Sequence, residues 1–144
     1  MSLAIPFNSF IRDLGEEKHD LSSDTFKARL LNVAVDDSWD TWSDCSANEI
    51  ANGNGYTTGG ITLTVVSWSI TDGAVRWMVT SPVWTSATSG MAAYRSLVIV
   101  NDSAPNDELV LYIDYGFGRS VAVGENAPIF FDEENGLFVL SVAG

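Results

Sequence analysis

The chain has 144 residues, 46% of them hydrophobic, with five Trp, seven Phe and four Tyr, a composition that excludes disorder and suits one domain able to bury its own core. Seven Lys and Arg stand against 19 Asp and Glu, a formal net charge of −12, which excludes long-range attraction to phosphate backbones or anionic lipid, so the expectation is no nucleic acid and no membrane as partner. Cys45 is the single cysteine, which rules out an intrachain disulfide framework and a Cys-based zinc site.

The opening MSLAIPFNSF has neither a basic n-region nor a long apolar h-region, and no run approaches the ~20 apolar residues that span a bilayer. Synthesis in the cytosol without Sec export is the expectation. Residues 5–14, IPFNSFIRDL, put Phe7, Phe10, Ile11 and Leu14 at spacings of three, one and three, with Gly15 as terminator. The pattern predicts a short helix inside an N-terminal arm over residues 1–24. Its apolar side would lie on its own sheet or on a neighbouring subunit.

In TFKARLLNV, Phe26, Ala28 and Leu30 alternate with Lys27 and Arg29, a first half-buried strand. Residues 34–55 mix carboxylates, Ser and two Trp with no sustained period, a long excursion with one helical turn predicted around residues 47–51. Loops of this length in a compact domain are usually functional or folded onto something.

Residues 53–77, GNGYTTGGITLTVVSWSITDGAVRW, are the clearest fold signal. Asp72 and Gly73 favour a two-residue type I′ turn, which requires positive φ at both positions. That turn sets Ile70 opposite Val75, Trp68 opposite Trp77 and Val66 opposite Val79, six residues on one buried face. Ile61, Leu63 and Val65 alternate on the other phase, so a β-bulge or a passage between two sheets is predicted at Val65 and Val66. After Trp77 and Val79, Ser81 and Pro82 end the ladder.

Residues 91–100, MAAYRSLVIV, read as a central strand, and NDSAPND as a turn. ELVLYID then predicts a strand with Leu109, Leu111 and Ile113 on one side and Val110 and Tyr112 on the other. YGFG bends the chain, SVAV is a short strand, GENAP a turn, and IFFDEENGLFVLSV a second hairpin about Asn135 and Gly136. About eight strands with one small helix predict an all-β, single-domain β-sandwich of Greek-key or jelly-roll type over residues 1–144.

No catalytic constellation emerges. Nucleophilic hydrolysis needs a Ser or Cys beside a base, yet the single histidine, His19, lies between Lys18 and Asp20 and the chain has no G-x-S-x-G. Asp36, Asp37, Asp40 and Asp44, and again Asp132, Glu133 and Glu134, are carboxylate clusters that fit solvated loops better than a glycosidase pair. DDSWDTWSD lacks the D-x-[DN]-x-[DN]-G calcium pattern. GNGYTTGG precedes a strand, unlike a phosphate-binding loop, and its glycines serve backbone geometry. No cofactor or metal is therefore expected. Trp39, Trp42 and Trp84 either plug sandwich edges or anchor an interface, where Trp is enriched.

The segments F-N-S-F-I-R-D-L-G at 7–15, H-D-L-S-S-D-T-F-K at 19–27, E-I-A-N-G-N-G-Y-T-T-G-G at 49–60 and D-Y-G at 114–116 resemble, in the same order, those of small virion structural proteins of tailed bacteriophages. The resemblance carries no catalytic residues. It implies a non-enzymatic decoration or cement protein on the outer capsid surface, made in the host cytoplasm, with the major capsid protein as partner and a homotrimer as its assembly. Phe7, Phe10, Ile11, Trp39, Trp42 and Trp84 are then the candidate interface. A tail or fibre component and a carbohydrate-binding module are the alternatives.

Overall fold

The computed structural model describes residues 4–141. In chain order the elements are Ile5–Pro6 (β1), Phe10–Gly15 (α1), Phe26–Leu31 (β2), Ile61–Thr62 (β3), Val65–Thr71 (β4), Ala74–Val79 (β5), Tyr94–Asn101 (β6), Leu109–Arg119 (β7) and Phe138–Ser141 (β8). The strands form two antiparallel sheets, ordered β1-β7-β6-β2-β3 and β4-β5-β8. The fold is all-β, as the strand and turn pattern predicts.

Between the sheets lies the main core, where Phe26, Ala28 and Leu30 of β2 and Leu97 and Ile99 of β6 meet Trp77 and Val79 of β5. Phe26 and Trp77 pack edge to face with ring centroids 4.9 Å apart, and the Trp77 indole N–H donates to the Leu21 carbonyl at 2.8 Å. A second, smaller core on the other face of the five-stranded sheet joins Phe7, Leu31, Cys45, Val98, Val100 and Leu109, with Trp39 and Trp42 packed against it. The long excursion is what covers that face. Strands β2 and β6 are therefore buried on both sides, which explains the near-continuous apolar run of β6.

The excursion folds into 3₁₀ turns at Trp42–Asp44 and Ser46–Asn48, the second overlapping the start of the helical turn expected around residues 47–51. Asp44 drives the first turn, because its carboxylate accepts the Asp40 and Thr41 backbone N–H groups at 2.9 and 3.2 Å. At the N-terminus the helix is shorter than the apolar stripe implies. Ile5 and Pro6 instead pair with Tyr112 and Leu111 as an edge strand, a place where proline costs no ladder bond.

The central hairpin has Asp72 at φ 53° and Gly73 at φ 78°, the two positive values of a type I′ turn. Ile70 pairs with Val75 and Trp68 with Trp77, but Val65, not Val66, faces Val79, because a bulge lies between Val65 and Ser67. The bulge ejects Val66 into solvent. At the same place the chain leaves the five-stranded sheet (β3) for the three-stranded one (β4), so bulge and sheet passage coincide.

Three expectations for the second half are corrected. A bulge opposite Val98 and Val100 breaks the alternation in β7, leaving Leu109 in the outer core with Tyr112 packed against it while Val110, Leu111 and Ile113 join the main core. The YGFG segment does not end that strand. Arg119 still pairs with Tyr94 while Asp114 pairs with Ser96, so residues 115–118 form a wide bulge and SVAV is irregular. The last hairpin is not formed either, since β8 pairs with β5 and residues 129–131 are not a strand.

The glycine-rich stretch locks onto β2. Tyr56 is buried, and its hydroxyl donates to Glu49 at 2.6 Å while accepting the Leu30 N–H at 3.2 Å. Glu49 also accepts the Gly59 N–H at 2.9 Å. Gly60, at φ 74°, lies so close to the Ala28 carbonyl that a Cβ would collide with it. Tyr56→Phe leaves the Leu30 N–H and Glu49 short of partners, and denaturant unfolding should show a loss of about 1–3 kcal/mol. Gly60→Ala combines strain with backbone collision and should cost more, on the order of 4 kcal/mol; equal effects would contradict the close approach.

Candidate functional site

The residues expected at an interface are brought together only in part: Phe7, Trp39 and Trp42 meet in the outer core, Phe10 and Trp84 lie in the main core, and Ile11 stands apart. Phe7, Phe10 and Trp84 are 1%, 0% and 3% exposed, because the arm and the segment after β5 close the molecule's own cores. Of the alternatives open to these three, cover for the chain's own sheets and an interface, the first is the one they occupy. Phe10 stacks on His19 and meets Phe138 edge to face, and Trp84 lies over Tyr56. Trp39 and Trp42 are half-buried against the outer core, with the Arg29 guanidinium 4.3 Å from the Trp42 ring centroid. Ile11 alone of the six stands exposed.

The chemically interesting side chains are likewise engaged in structure. His19 is buried, and its Nδ1 lies 3.0 Å from the Asn101 amide nitrogen. Since that amide donates, Nδ1 accepts and the neutral ring carries its proton on Nε2. Burial pushes the imidazole below its ordinary value, against the pull of Asp13, Glu108 and Asp24 and with a smaller push from Lys18. The Cys45 thiol is pushed up to about 12, chiefly by burial and then by Asp44, which makes it a packing residue rather than a nucleophile.

The carboxylates of the acidic loops hold their own turns. Asp36 accepts from the Ser38 hydroxyl at 2.6 Å and N–H at 2.9 Å, and Asp132 from the N–H groups of Glu134 and Asn135. Hydrogen bonds of this kind keep both below the usual carboxylate range. Asp114 in D-Y-G ties three segments, accepting from Gly116 N–H at 2.8 Å, Val35 N–H at 3.0 Å and Arg95 at 3.2 Å. Among the described residues no three His, Cys, Asp or Glu side chains converge to hold a metal ion.

What the surface does offer is apolar. Trp68, Trp77 and Phe138 form one row across β4, β5 and β8, and Ile70, Val75 and Leu140 form the next row on the same face, one step towards the hairpin tip. Trp77 is fully buried, whereas Ile70 is 70% and Leu140 40% exposed. The inner face of the small sheet thus overhangs the core by one row. At the base of the overhang a depression of about 370 Å³ is lined by Leu14, Leu21, Trp68, Glu17, His19 and Asp20. A second depression, about 460 Å³, runs along Pro82, Val83, Pro128, Ile129 and Phe130.

The chain's few cations are engaged within it. Arg12 and Lys18 pair with Asp13, Lys27 with Asp102 and Arg95 with Asp114. Arg29 and Arg119 cover Trp42 and Tyr115, and Arg76 donates to the Asn135 carbonyl. Every one of the seven cations has a partner within the chain, and the net charge is −12.

Sequence reading missed the overhang because it counted Ile70 and Val75 as core; the available signal was their place next to the turn. No family model, curated protein or solved structure matches the chain. No helix among the described residues is long and apolar enough to cross a membrane.

His19 sets a pH dependence. Its folded pKa lies below the unfolded value near 6.5, so on acidification the unfolded chain takes up the proton first, and the stability that neutral His19 secures above that value is lost as pH falls through the folded pKa. Melting temperature should therefore drop from pH 7 to pH 5, and His19→Phe should flatten the curve in that window whatever its absolute stability. An unchanged slope would show that the burial of His19 carries no linkage.

Proposed function

We propose that this chain is a non-enzymatic virion component of a tailed bacteriophage, a decoration or cement protein that docks on the outer face of the capsid shell and bridges neighbouring copies of the major capsid protein. The observation that carries the reading is the overhanging apolar row Ile70, Val75, Leu140 on a surface whose cations are all internally engaged. Buried apolar area supplies affinity, and an uncompensated acidic surface selects a basic partner. The four segments that resemble those of phage virion proteins serve mainly as scaffold, Asp13 in its ion pairs, Asp24 and His19 on Asn101, Glu49 on Tyr56 and Asp114 on the β7 bulge, and Leu14, His19, Asp20 and Leu21 of the first two line the depression at the base of the overhang.

A homotrimer at a symmetric site of the shell suits the reading, because three weak contacts held together act at high effective concentration. Single copies on capsids, with a one-chain mass by light scattering at high concentration, would remove the trimer.

Binding to the assembled shell and not to its separated subunits must stabilise the shell. The purified protein should co-sediment with expanded empty capsids and raise their melting temperature. Ile70→Thr with Leu140→Thr keeps strand-compatible side chains but removes apolar contact, and should weaken capsid binding by at least about tenfold while leaving the protein's own unfolding transition in place. Binding to tail fractions alone would favour the fibre alternative.

A further inference from the structure

The sheet edges differ in how they are guarded. At the borders of the five-stranded sheet, β1 and β3 are two residues long and β1 contains Pro6, both standard ways of blunting an edge. β4, a border of the small sheet, has seven residues, VVSWSIT, with no charge and no proline. Its bulge lies at Val65 and Val66, which leaves residues 67–71 regular.

The register fixes what that edge presents. In a two-residue hairpin the pair flanking the turn, Thr71 and Ala74, exchanges hydrogen bonds, and so do every second pair, Ser69 with Arg76 and Ser67 with Met78. Trp68 and Ile70 then turn their N–H and C=O away from β5. The Trp77 carbonyl confirms the phase from the other side, since it accepts from Leu137 next to β8. Among the described residues no turn or side-chain hydrogen bond reaches the backbone of residues 67–71.

We infer that β4 is an acceptor edge for an extended segment of the partner, which adds as a further strand and extends the small sheet, with alternate apolar side chains continuing the Ile70, Val75, Leu140 row and Lys or Arg among the rest. Charge complementarity selects this occupant. The depression beside Trp68 is rimmed by Glu17 and Asp20, and Asp72 stands at the hairpin tip. Of the nearby cations, Lys18 is held by Asp13 and Glu16 at 3.7 and 3.5 Å, and Arg76, opposite Ser69, is engaged by the Asn135 carbonyl at 2.9 Å. A second copy would bring another −12 to the same edge. The inference rests on the docking reading above for the partner's identity.

The test is amide exchange by NMR on the full chain with the peptide acetyl-KVTVKVTVK-amide, and with the same peptide N-methylated on alternate residues along the pairing edge. At about ten times its dissociation constant the unmethylated peptide should slow exchange at Trp68 and Ile70 about tenfold, and the methylated one should not. Ile70→Pro and Ile70→Lys should abolish the protection and Ile70→Val should keep it. Protection by both peptides, by neither, or by raising the protein's own concentration without peptide overturns the inference, the last by assigning the edge to a second copy. Capsid binding separates the two readings. Capsids that bind the wild-type chain yet leave the Trp68 and Ile70 amides exchanging as in the free chain overturn the acceptor edge and leave decoration standing, whereas peptide protection without capsid binding does the reverse.

Discussion

A strand can bury only one of its two side-chain phases on one face, and much of this molecule follows from that constraint acting on residues 61–70. Ile61, Leu63 and Val65 pack on the main core in one phase, and Trp68 packs on it in the other. Both sets reach the same core because the chain changes sheets and takes in an extra residue at Val66. The bulge also aims the hairpin. Beyond it, Trp68 and Trp77 still lie over the core, but the next row has run past its cover.

The same economy shapes the outer face of the large sheet. A chain of this size could leave one face of an antiparallel sheet in water, yet Val98, Val100 and Leu109 are buried under the excursion. The excursion holds there through carboxylates, two of its own and one from β7: Asp44 caps a turn, Glu49 clamps Tyr56, and Asp114 of β7 accepts the Val35 N–H. Acids that look like a catalytic or calcium cluster in the sequence are mostly acceptors for exposed backbone donors. Their cost is a surface charge that the few cations, spent on Asp13, Trp42 and Tyr115, do not balance.

Local signals were legible in the sequence and non-local ones were not. The type I′ turn at Asp72 and Gly73, the doubly buried β6 and the irregularity at Val65 each rest on neighbouring residues, and each is present. The pairing of β8 with β5 joins residues some sixty positions apart, and nothing in DEENGLF distinguishes that from a local hairpin. In β7 the glycines of YGFG read as a bend, whereas Gly116 at φ 87° serves a bulge inside a continuing strand. Burial of Phe7, Phe10 and Trp84 was equally hidden, because an apolar stripe states that a face needs cover and not which surface supplies it. The overhang depends on where the opposing sheet stops, a property of two strands far apart in sequence.

An open, uncharged edge is a hazard for any chain that meets copies of itself at high concentration, and past its bulge β4 has no charge or proline over residues 67–71 to guard it. Charge spread over the whole molecule can do the work of a lysine on the edge. At −12 per chain two copies repel over the Debye length of about 8 Å at physiological ionic strength, the distance over which strands must approach before their hydrogen bonds form. A local lysine would guard the edge against every partner of like sign and weaken it towards a basic one. Global acidity repels copies of the same chain and would not repel a basic strand, so a bare edge on an acidic chain discriminates between partners by charge, which a lysine on the edge would do in the opposite sense.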